Sequence, residues 1–309
     1  MQYRVRPYRG EIFLPIISKI FVGIPSYNRG RIFYYCIKSF FKSKLIKGFI
    51  LIIDVSSDIE KELYVQALKE LIDRGFEVIY DVNVGRRGST RARNLVLDMA
   101  EKNLGSKDII LLYDDDYIYA GDKSVVPALY WLKNGDVGVV GGRVINLRKR
   151  KVDPDFALNI PYLADALTRL TGFILLNTKH GSRYVDYTTP LMALRTEILS
   201  KGVRYDERYG GTGYREESDL QKQIKKLGYE IVFEPMFHTY HLAIESGGNR
   251  YSDLEDRIYW KWKNHTYFMN KWRYPLRKKI LSYVILILYA LLNGAPAIKG
   301  IVKATRARQ

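Results

Sequence analysis

The chain has 309 residues, 47% hydrophobic and 27% charged, which are proportions of a globular protein and exclude a disordered or collagen-like chain. Its 50 Lys and Arg against 33 Asp and Glu give a net charge of +17, which predicts an anionic partner: nucleic acid, a nucleotide-bearing substrate or an acidic membrane surface. The single cysteine, Cys36, excludes an intramolecular disulfide and a cysteine-based metal cluster. Scattered charges in residues 1–18 predict an N-terminal extension and no signal peptide.

Short apolar runs alternate with amphipathic segments through the first half of the chain. The runs are rich in β-branched residues and closed by Gly, Pro or Asp, as buried parallel strands usually are; they lie at 19–25, 49–54, 76–82, 108–114 and 137–142. Between the third and fourth runs, helical spacing predicts one apolar stripe made of Ala92, Leu95, Val96 and Met99. This alternation predicts an α/β fold with a doubly wound, mostly parallel sheet, which binds ligands beyond the carboxyl ends of its strands.

The second half of the chain is less regular. From about 143 to 190 the pattern loosens, and a substrate-specific insertion is expected there. A helix is predicted to begin near 216, because Leu220, Ile224 and Leu227 keep helical spacing. A strand follows it at 229–235.

The C-terminal tail differs from the rest of the chain. Residues 261–279 carry seven Lys and Arg among aromatic residues, and residues 280–298 carry no charge. Asn293, Gly294 and Pro296 interrupt this run and leave an apolar helix of about thirteen residues, which suits an interfacial or re-entrant helix better than a span. With basic residues on both flanks, the tail is expected to bind an anionic membrane surface; a core helix packed on the preceding domain is the alternative.

Three consecutive aspartates, Asp114, Asp115 and Asp116, follow the fourth apolar run. Because side chains alternate along an extended strand end, Asp114 and Asp116 are expected to point the same way and Asp115 the opposite way. Two carboxylates on one side form a hard-oxygen site for Mg²⁺ or Mn²⁺, whose shell substrate phosphates usually complete. An EF-hand is disfavoured, since Val125 stands where the bidentate glutamate belongs. A solvated Asp-rich turn is the alternative.

Two other strand ends carry polar side chains that suit a ligand. The turn at 83–94 combines a helix N-terminus with glycines and basic residues, a plausible anion site, although it also suits an ordinary strand-to-helix turn; these residues are Gly85, Gly88, Arg86, Arg87, Arg91 and Arg93. The segment at 52–58 ends a strand with Asp54, Ser56, Ser57 and Asp58. These short acceptors could hydrogen-bond a base or ribose, or cap a helix.

Further candidates lie near the helix that begins at 216. Glu216, Glu217 and Asp219 follow a glycine-rich loop, where the helix dipole alone favours acids. A carboxylate that faces the crevice could instead be a general base that deprotonates an acceptor hydroxyl. His238 and His241 come after the next strand, and a neutral imidazole there could complete a metal shell or serve only a structural role.

Six stretches, taken in order, resemble the family-2 glycosyltransferases of the GT-A fold. The first two are similar to that family's opening Pro-x-Tyr-Asn loop and its Val-Asp-Asp-Gly-Ser-x-Asp segment, the latter one residue short and without the glycine: VGIPSYNRGR and IIDVSSD. The other four are similar to its Asn-x-Gly…Ala-Arg-Asn turn, its Asp-x-Asp motif, its Glu-Asp-x-Asp-Leu motif and its histidine with Gly-Gly: NVGRRGSTRARN, YDDDY, REESDL and YHLAIESGGNR. The resemblance covers roughly residues 19 to 250.

The resemblance implies an inverting hexosyltransferase that moves a sugar from a nucleoside-diphosphate sugar to a lipid-linked or glycan acceptor, with Mn²⁺ or Mg²⁺ as cofactor. It implies that Glu217 is the catalytic base, where the family usually has Asp, with Glu216 beside it. The implied donor-site residues are Pro25, Tyr27, Asn28, Asp54, Arg93, Asp114 and Asp115, and the implied metal ligands are Asp114, Asp116 and His241.

The resemblance also implies how the chain is divided. A GT-A catalytic domain at 19–250 would comprise a nucleotide-binding part, 19–142, and an acceptor-binding part, 143–250. The helical tail at 251–309 resembles that of members that act on lipid-linked acceptors, which implies a cytoplasmic enzyme, peripheral or monotopic at the inner face of the cell membrane. No nucleic-acid partner is expected.

Two rival interpretations use other features of the sequence. A phosphotransferase of the haloacid-dehalogenase type also places Asp-x-Asp after a strand, but Ile118 stands where that motif has Thr or Val, and at least three strands precede it. A non-enzymatic nucleic-acid or polyanion binder explains the charge of +17 but not the acids gathered at the strand ends.

Overall fold

The computed structural model describes residues 19–55, 58–82, 88–147, 163–166, 168, 178–179, 181–242, 244 and 253–307. Several sequence-based interpretations therefore lie outside the described residues. These concern the N-terminal extension, Ser56 and Ser57, the side chain of Asp58, the turn residues Gly85, Arg86 and Arg87, most of the 148–177 part of the expected insertion at 143–190, and the Gly-Gly segment.

Within the described residues, nine strands form one sheet with the order β3-β2-β1-β4-β8-β6-β9-β5, and β7 pairs with β9. The strands are β1 (Ile20–Tyr27), β2 (Gly48–Asp54), β3 (Glu77–Val82), β4 (Ile109–Leu112), β5 (Tyr117–Tyr119), β6 (Val137–Asn146), β7 (Arg183–Tyr184), β8 (Met192–Arg195) and β9 (Glu230–His241). Strands β1 to β4, β6 and β9 point in one direction and β5, β7 and β8 in the other. The mostly parallel sheet predicted from the apolar runs is thus confirmed.

Helices cover both faces of this sheet. The helices are α1 (Gly30–Ser39), α2 (Asp58–Asp73), α3 (Ser89–Asn103), α4 (Asp122–Leu132), α5 (Glu216–Lys226), α6 (Leu254–Lys271), α7 (Leu276–Asn293) and α8 (Ala295–Arg306), with a 3₁₀ helix at Thr196–Lys201. Side chains of α1, α2 and α4 form one apolar core with Leu51 and Ile53 of β2. Side chains of α3, α5 and the 3₁₀ helix form a second core with Ile50 and Ile52 of the same strand. Successive side chains of β2 therefore pack alternately into the two cores, one on each face of the sheet, as the predicted doubly wound fold requires.

Three details differ from the sequence-based predictions. On α3, Val96 is fully buried, but Ala92, Leu95 and Met99 are only partly buried, and Leu97 and Ala100 complete the buried face. Leu227 is 43% exposed because α5 already ends at Lys226. His238 and His241 lie inside a strand rather than after one, because the second half of β9 pairs with β6 on one side and with β5 on the other.

The tail begins as part of the folded core. Phe268 and Met269 of α6 form a buried cluster with Tyr187 and Tyr209. The apolar helix α7 has 18 residues rather than thirteen, because the basic turn after Pro275 joins it. None of the helices in the described part of the chain is long and apolar enough to cross a bilayer.

A buried histidine connects α6 to its surroundings. His265 is fully buried; its Nε2 lies 2.9 Å from the Ser282 hydroxyl of α7, and its Nδ1 accepts a hydrogen bond from Arg215 Nε at 3.4 Å. Burial, together with the charges of Arg215 and Lys261, lowers the pKa of His265 to about 2. The folded protein therefore holds this imidazole neutral.

We expect this histidine to make the protein acid-sensitive. Below pH 6.5 the unfolded chain binds a proton at His265 that the folded chain excludes down to about pH 2. The free energy of unfolding should therefore fall with pH, by up to about 1.4 kcal/mol per unit from this group. Urea titrations between pH 7 and pH 4 should show a shallower decline for His265→Gln. The control His238→Gln removes a partly exposed histidine and should keep the native slope; equal slopes in all three proteins would contradict the assignment.

Candidate active site

The three aspartates occupy a turn between β4 and β5. The first strand ends at Leu112, and the amide of Tyr117 donates a hydrogen bond to the carbonyl oxygen of Asp114 at 3.1 Å. The prediction that Asp115 points away from its neighbours is wrong, because the alternation of an extended strand does not hold in a turn. Asp115 and Asp116 instead contact the same cation.

That cation is Arg29, which follows β1. Its Nη1 lies 2.9 Å from Asp115 Oδ1 and 3.3 Å from Asp116 Oδ2, and its Nη2 donates to the carbonyl oxygen of Ile244 at 3.2 Å. The hydroxyl of Ser26 donates to Asp115 Oδ2 at 2.7 Å. All three charged groups are buried, and burial raises the pKa of Asp115 to about 6 against the opposing charge of Arg29. The turn is thus held by internal ion pairs and is not a solvated loop.

His241 reaches the turn from the sheet. Its Nε2 lies 3.2 Å from Asp116 Oδ2, and its Nδ1 lies 2.7 Å from Asn146 Oδ1 of β6. In the described residues, no group of three or more His, Cys, Asp or Glu side chains is arranged to hold a metal ion. A carboxylate nevertheless suits Mg²⁺ or Mn²⁺, whose remaining ligands at such sites are phosphate and water oxygens, and a neutral imidazole is a common metal ligand.

Arg93 of α3 connects the turn to the helix that carries the two glutamates. Its Nη2 lies 2.7 Å from Asp114 Oδ1 and 3.7 Å from Glu217 Oε1, and its Nε lies 3.2 Å from Glu216 Oε1. The Arg93 side chain is only 12% exposed. Carboxylates that lie 103 residues apart in the sequence (Asp114 and Glu217) thus share one buried cation.

The two glutamates have different environments. The Glu216 side chain is 3% exposed and that of Glu217 is 17% exposed. Gly213 has φ of +65°, and a Cβ atom there would lie 2.7 Å from the Glu216 carboxyl, so the glycine-rich loop lets Glu216 fold inward. Burial raises the pKa of both glutamates, and the charge of Glu217 raises that of Glu216 further. Glu217 is the more accessible of the two.

The remaining predicted donor residues lie at the ends of β1 and β2. Pro25 and Tyr27 belong to β1, and Tyr27 pairs with Asp54 in the parallel register. Asn28 has φ of +48°, and its amide donates to the carbonyl oxygen of Asp54 at 3.0 Å. Through Ser26 this strand end also touches the aspartate turn. The carboxyl ends of β1, β2 and β4 therefore form one continuous edge.

Three contributors were missed in the sequence analysis. Arg29 compensates the aspartates, and Lys271 of α6 lies 2.7 Å from Asp219 Oδ2 of the Glu-Glu-x-Asp stretch. The indole of Trp272 also donates to Asp219 Oδ1 at 2.7 Å. Because three carboxylates in a row repel one another, the aspartates after β4 were a signal that a cationic side chain would lie nearby, after a neighbouring strand. No comparable signal connected Asp219 with the tail.

Comparison with known proteins shows the family and the fold of the chain. The family model for glycosyl transferase family 2 matches residues 21–199, more than half of the chain. No curated protein sequence matches significantly.

Solved structures share the fold at low sequence identity. A mannosyltransferase from Pyrobaculum calidifontis in complex with GDP-Man and Mn²⁺ is 16% identical with a TM-score of 0.59, over 96% of this chain and 77% of that one. GalNAc-T7 with UDP, GalNAc and Mn²⁺ is 16% identical with a TM-score of 0.54, over 83% of this chain and 51% of that one. TarS from S. aureus is 17% identical with a TM-score of 0.50, over 72% of this chain but only 36% of its own length.

The fold of these structures is the GT-A fold, and the matched segment runs from β1 through β8 to the 3₁₀ helix. It contains the aspartate turn and Arg93. The chain belongs to glycosyl transferase family 2 and is a glycosyltransferase.

Proposed function

We propose that the protein transfers a hexose from a nucleoside-diphosphate sugar to an acceptor hydroxyl, with inversion at the anomeric carbon. The observation that carries this proposal is the contact of Arg93 with both Asp114 and the two glutamates. Arg93 thereby connects Asp114, on the predicted donor side of the crevice, with Glu217, the predicted base. In-line displacement needs the departing diphosphate and the attacking hydroxyl on opposite sides of one reacting carbon.

Glu217 is the general base in this proposal. An acceptor hydroxyl is a poor nucleophile, and a carboxylate within hydrogen-bond reach removes its proton as it attacks. Glu217 has the more exposed carboxylate of the pair. Burial and the charge of Glu217 raise the pKa of Glu216, and its carboxyl group contacts Arg93 Nε at the start of α5.

Asp54 binds the nucleoside base in this proposal, with Pro25, Tyr27 and Asn28 beside it at the strand ends. Arg93 and Asp114 lie next to the diphosphate. Asp115 contributes through the shape of the turn, because its two oxygens accept hydrogen bonds from Ser26 and Arg29.

A divalent cation, Mn²⁺ or Mg²⁺, completes the proposed donor site. Asp116 and His241 would hold it, together with Asp114, which lies at the more exposed end of the turn. When bound, such a cation stabilises the negative charge that develops on a departing diphosphate. Two of the solved relatives of this fold were obtained with Mn²⁺ and a nucleotide or nucleotide sugar, which supports the choice of cofactor.

Calorimetric titration tests the donor site directly. GDP-, UDP- and dTDP-sugars would be titrated into the native chain and into Asp114→Ala/Asp116→Ala, with and without Mn²⁺. We expect one nucleotide class to bind in a metal-dependent manner and the double variant to lose that binding. If no nucleotide binds the native chain under any metal condition, the proposed donor site is wrong.

We further propose that the enzyme works at the inner face of the cell membrane on a lipid-linked or glycan acceptor. One face of α7 is apolar and exposed, at the spacing of successive helical turns: Ile280, Val284, Ile287, Leu288, Leu291 and Leu292. The opposite face, with Leu286 and Ala290, is buried. Basic side chains flank this stripe at the start of α7 and along α8: Arg277, Lys278, Lys279, Lys299, Lys303 and Arg306. An apolar face bordered by cations suits an anionic bilayer surface.

Vesicle sedimentation tests this surface. Leu288→Glu/Leu292→Glu should weaken binding to phosphatidylglycerol vesicles at least tenfold, because each lost leucine removes about 1.5–3 kcal/mol of burial. The control Val65→Glu/Ile72→Glu alters two side chains of α2 with similar exposure, 57% and 56%, and should bind like the native chain. Equal binding by both double variants would show that α7 is not the docking face.

A further inference from the structure

A cavity lies beside α5, with lining residues that differ from those of the crevice. Its volume is about 420 Å³. Thr168, Asp186 and Tyr187 line one part of it, and the rest of its wall consists of four lysines and two aromatic side chains: Lys222, Lys225, Lys226, Lys278, Trp272 and Tyr274. These residues come from the C-terminal half of α5, from the connection after α6 and from the first turn of α7. The packing of the tail on the catalytic domain thus creates the cavity.

The positive charge of this cavity is only partly compensated. Lys225 lies 3.4 Å from Asp186 and 3.6 Å from Glu230. Across the described residues, no carboxylate oxygen lies within 4.0 Å of the ammonium groups of Lys222, Lys226 or Lys278. Burial lowers the pKa of Lys222 although Asp186 raises it, and the charges of Lys278 and Lys225 lower it further. Like charges are therefore crowded here, and a bound anion would relieve the repulsion.

Aromatic rings hold two of these lysines in place. The Lys222 ammonium lies 5.2 Å from the centroid of Trp272 and 4.8 Å from that of Tyr274, and the Lys278 ammonium lies 5.6 Å from the latter ring. Trp272 is itself fixed by its hydrogen bond to Asp219, and the Tyr274 hydroxyl contacts that of Tyr187. The charged groups are thus positioned before any ligand arrives, which lowers the entropic cost of binding.

We propose that this cavity is a second anion site, separate from the crevice, that binds a phosphate-bearing ligand. Several lysine ammonium groups around one cavity match the charge of a phosphate monoester, for which lysine serves as a point charge. The volume lies in the range of small-molecule sites and admits a sugar phosphate or a lipid headgroup. The proposal does not depend on the donor site or on the identity of the catalytic base.

Calorimetry on the full chain in EDTA tests the site without metal-dependent donor binding. Glucose 6-phosphate should bind and glucose should not, and the affinity should fall as salt is raised. Lys222→Gln and Lys278→Gln should each weaken binding at least tenfold, since each removes a charged hydrogen-bond donor to the phosphate. Lys69→Gln, an exposed lysine of α2, should bind like the native chain.

Two further arms separate this site from others and identify the source of the phosphate. Asp114→Ala/Asp116→Ala should still bind glucose 6-phosphate, so failure of the donor site would leave this result intact. In the second arm, phosphatidic acid vesicles replace the sugar phosphate. A tenfold loss of vesicle binding by Lys222→Gln, a variant in which α7 is not altered, would identify a lipid headgroup as the occupant. If neither probe binds, or if the Lys222, Lys278 and Lys69 variants bind alike, the proposal is overturned.

Discussion

Replacement of Glu217 by Gln should lower kcat by a factor of about 10² to 10⁴ and leave donor affinity nearly unchanged. The factor is the usual contribution of a positioned general base. The amide keeps the shape of the side chain but cannot accept the proton of the attacking hydroxyl. The Glu217 carboxylate is 17% exposed at the crevice, and it lies 3.7 Å from Arg93 rather than in a short ion pair. Release of nucleoside diphosphate measures kcat, and calorimetry measures the affinity of the donor.

The neighbouring glutamate supplies the matched control. Glu216→Gln should reduce kcat less than tenfold, because burial raises the pKa of Glu216 and the side chain is already protonated near neutral pH; an amide then replaces a neutral acid of the same shape. Glu217→Asp restores the residue that the family usually has at this position and should keep measurable activity. A large loss in Glu216→Gln together with a small one in Glu217→Gln would reverse the two roles.

The sheet was predictable because its signal is local. Buried strands such as β2 and β4 consist of consecutive apolar residues, and burial on both faces removes the polar alternation that an exposed strand needs. The position of the aspartates at the carboxyl end of β4 followed from the same pattern. Family membership also decides between the rival interpretations, since a glycosyltransferase accounts for the acids at strand ends that a polyanion binder left unexplained.

The contacts of the site were less predictable because they depend on strand order. Arg29 meets Asp115 because β1 and β4 are parallel neighbours, so that the residues that follow them emerge at the same edge. The sequence alone did not order these strands. The alternation expected for Asp114 to Asp116 failed for a related reason: it assumed extended backbone, whereas the amide of Tyr117 closes a turn. Similarly, the contact of Lys271 with Asp219 joins segments 52 residues apart.

The tail shows how one sequence pattern can serve two structural roles. Its basic and aromatic first part was interpreted as membrane-associated, yet α6 buries Phe268 and Met269 against the catalytic domain. The long exposed apolar stripe at helical spacing lies on α7, on the face away from Leu286. Because both segments mix apolar and basic residues, composition could not separate the part that packs inward from the part that faces outward.

Replacement of Arg29 by Met should lower the free energy of unfolding by about 3–5 kcal/mol, the usual effect of removing one partner from a buried ion pair. Methionine fills a similar volume, so the loss reports charge rather than a cavity. Asp115 and Asp116 are 6% and 1% exposed, and neither can regain water when the guanidinium is removed. Urea unfolding at pH 7, followed by circular dichroism, measures the difference.

Two further variants separate the charge effect from general disruption of the turn. Asp115→Asn in the Arg29→Met background removes one of the two carboxylate charges that lost their partner, and it should recover part of the lost stability. If the two substitutions acted independently, their losses of unfolding free energy would instead add. Arg29→Lys keeps the charge but cannot reproduce contacts to Asp115, Asp116 and Ile244 with one ammonium group, so its stability should lie between those of the native chain and Arg29→Met. Native stability in Arg29→Met would mean that water or a cation compensates the aspartates, and Arg29 would then not be what holds the turn.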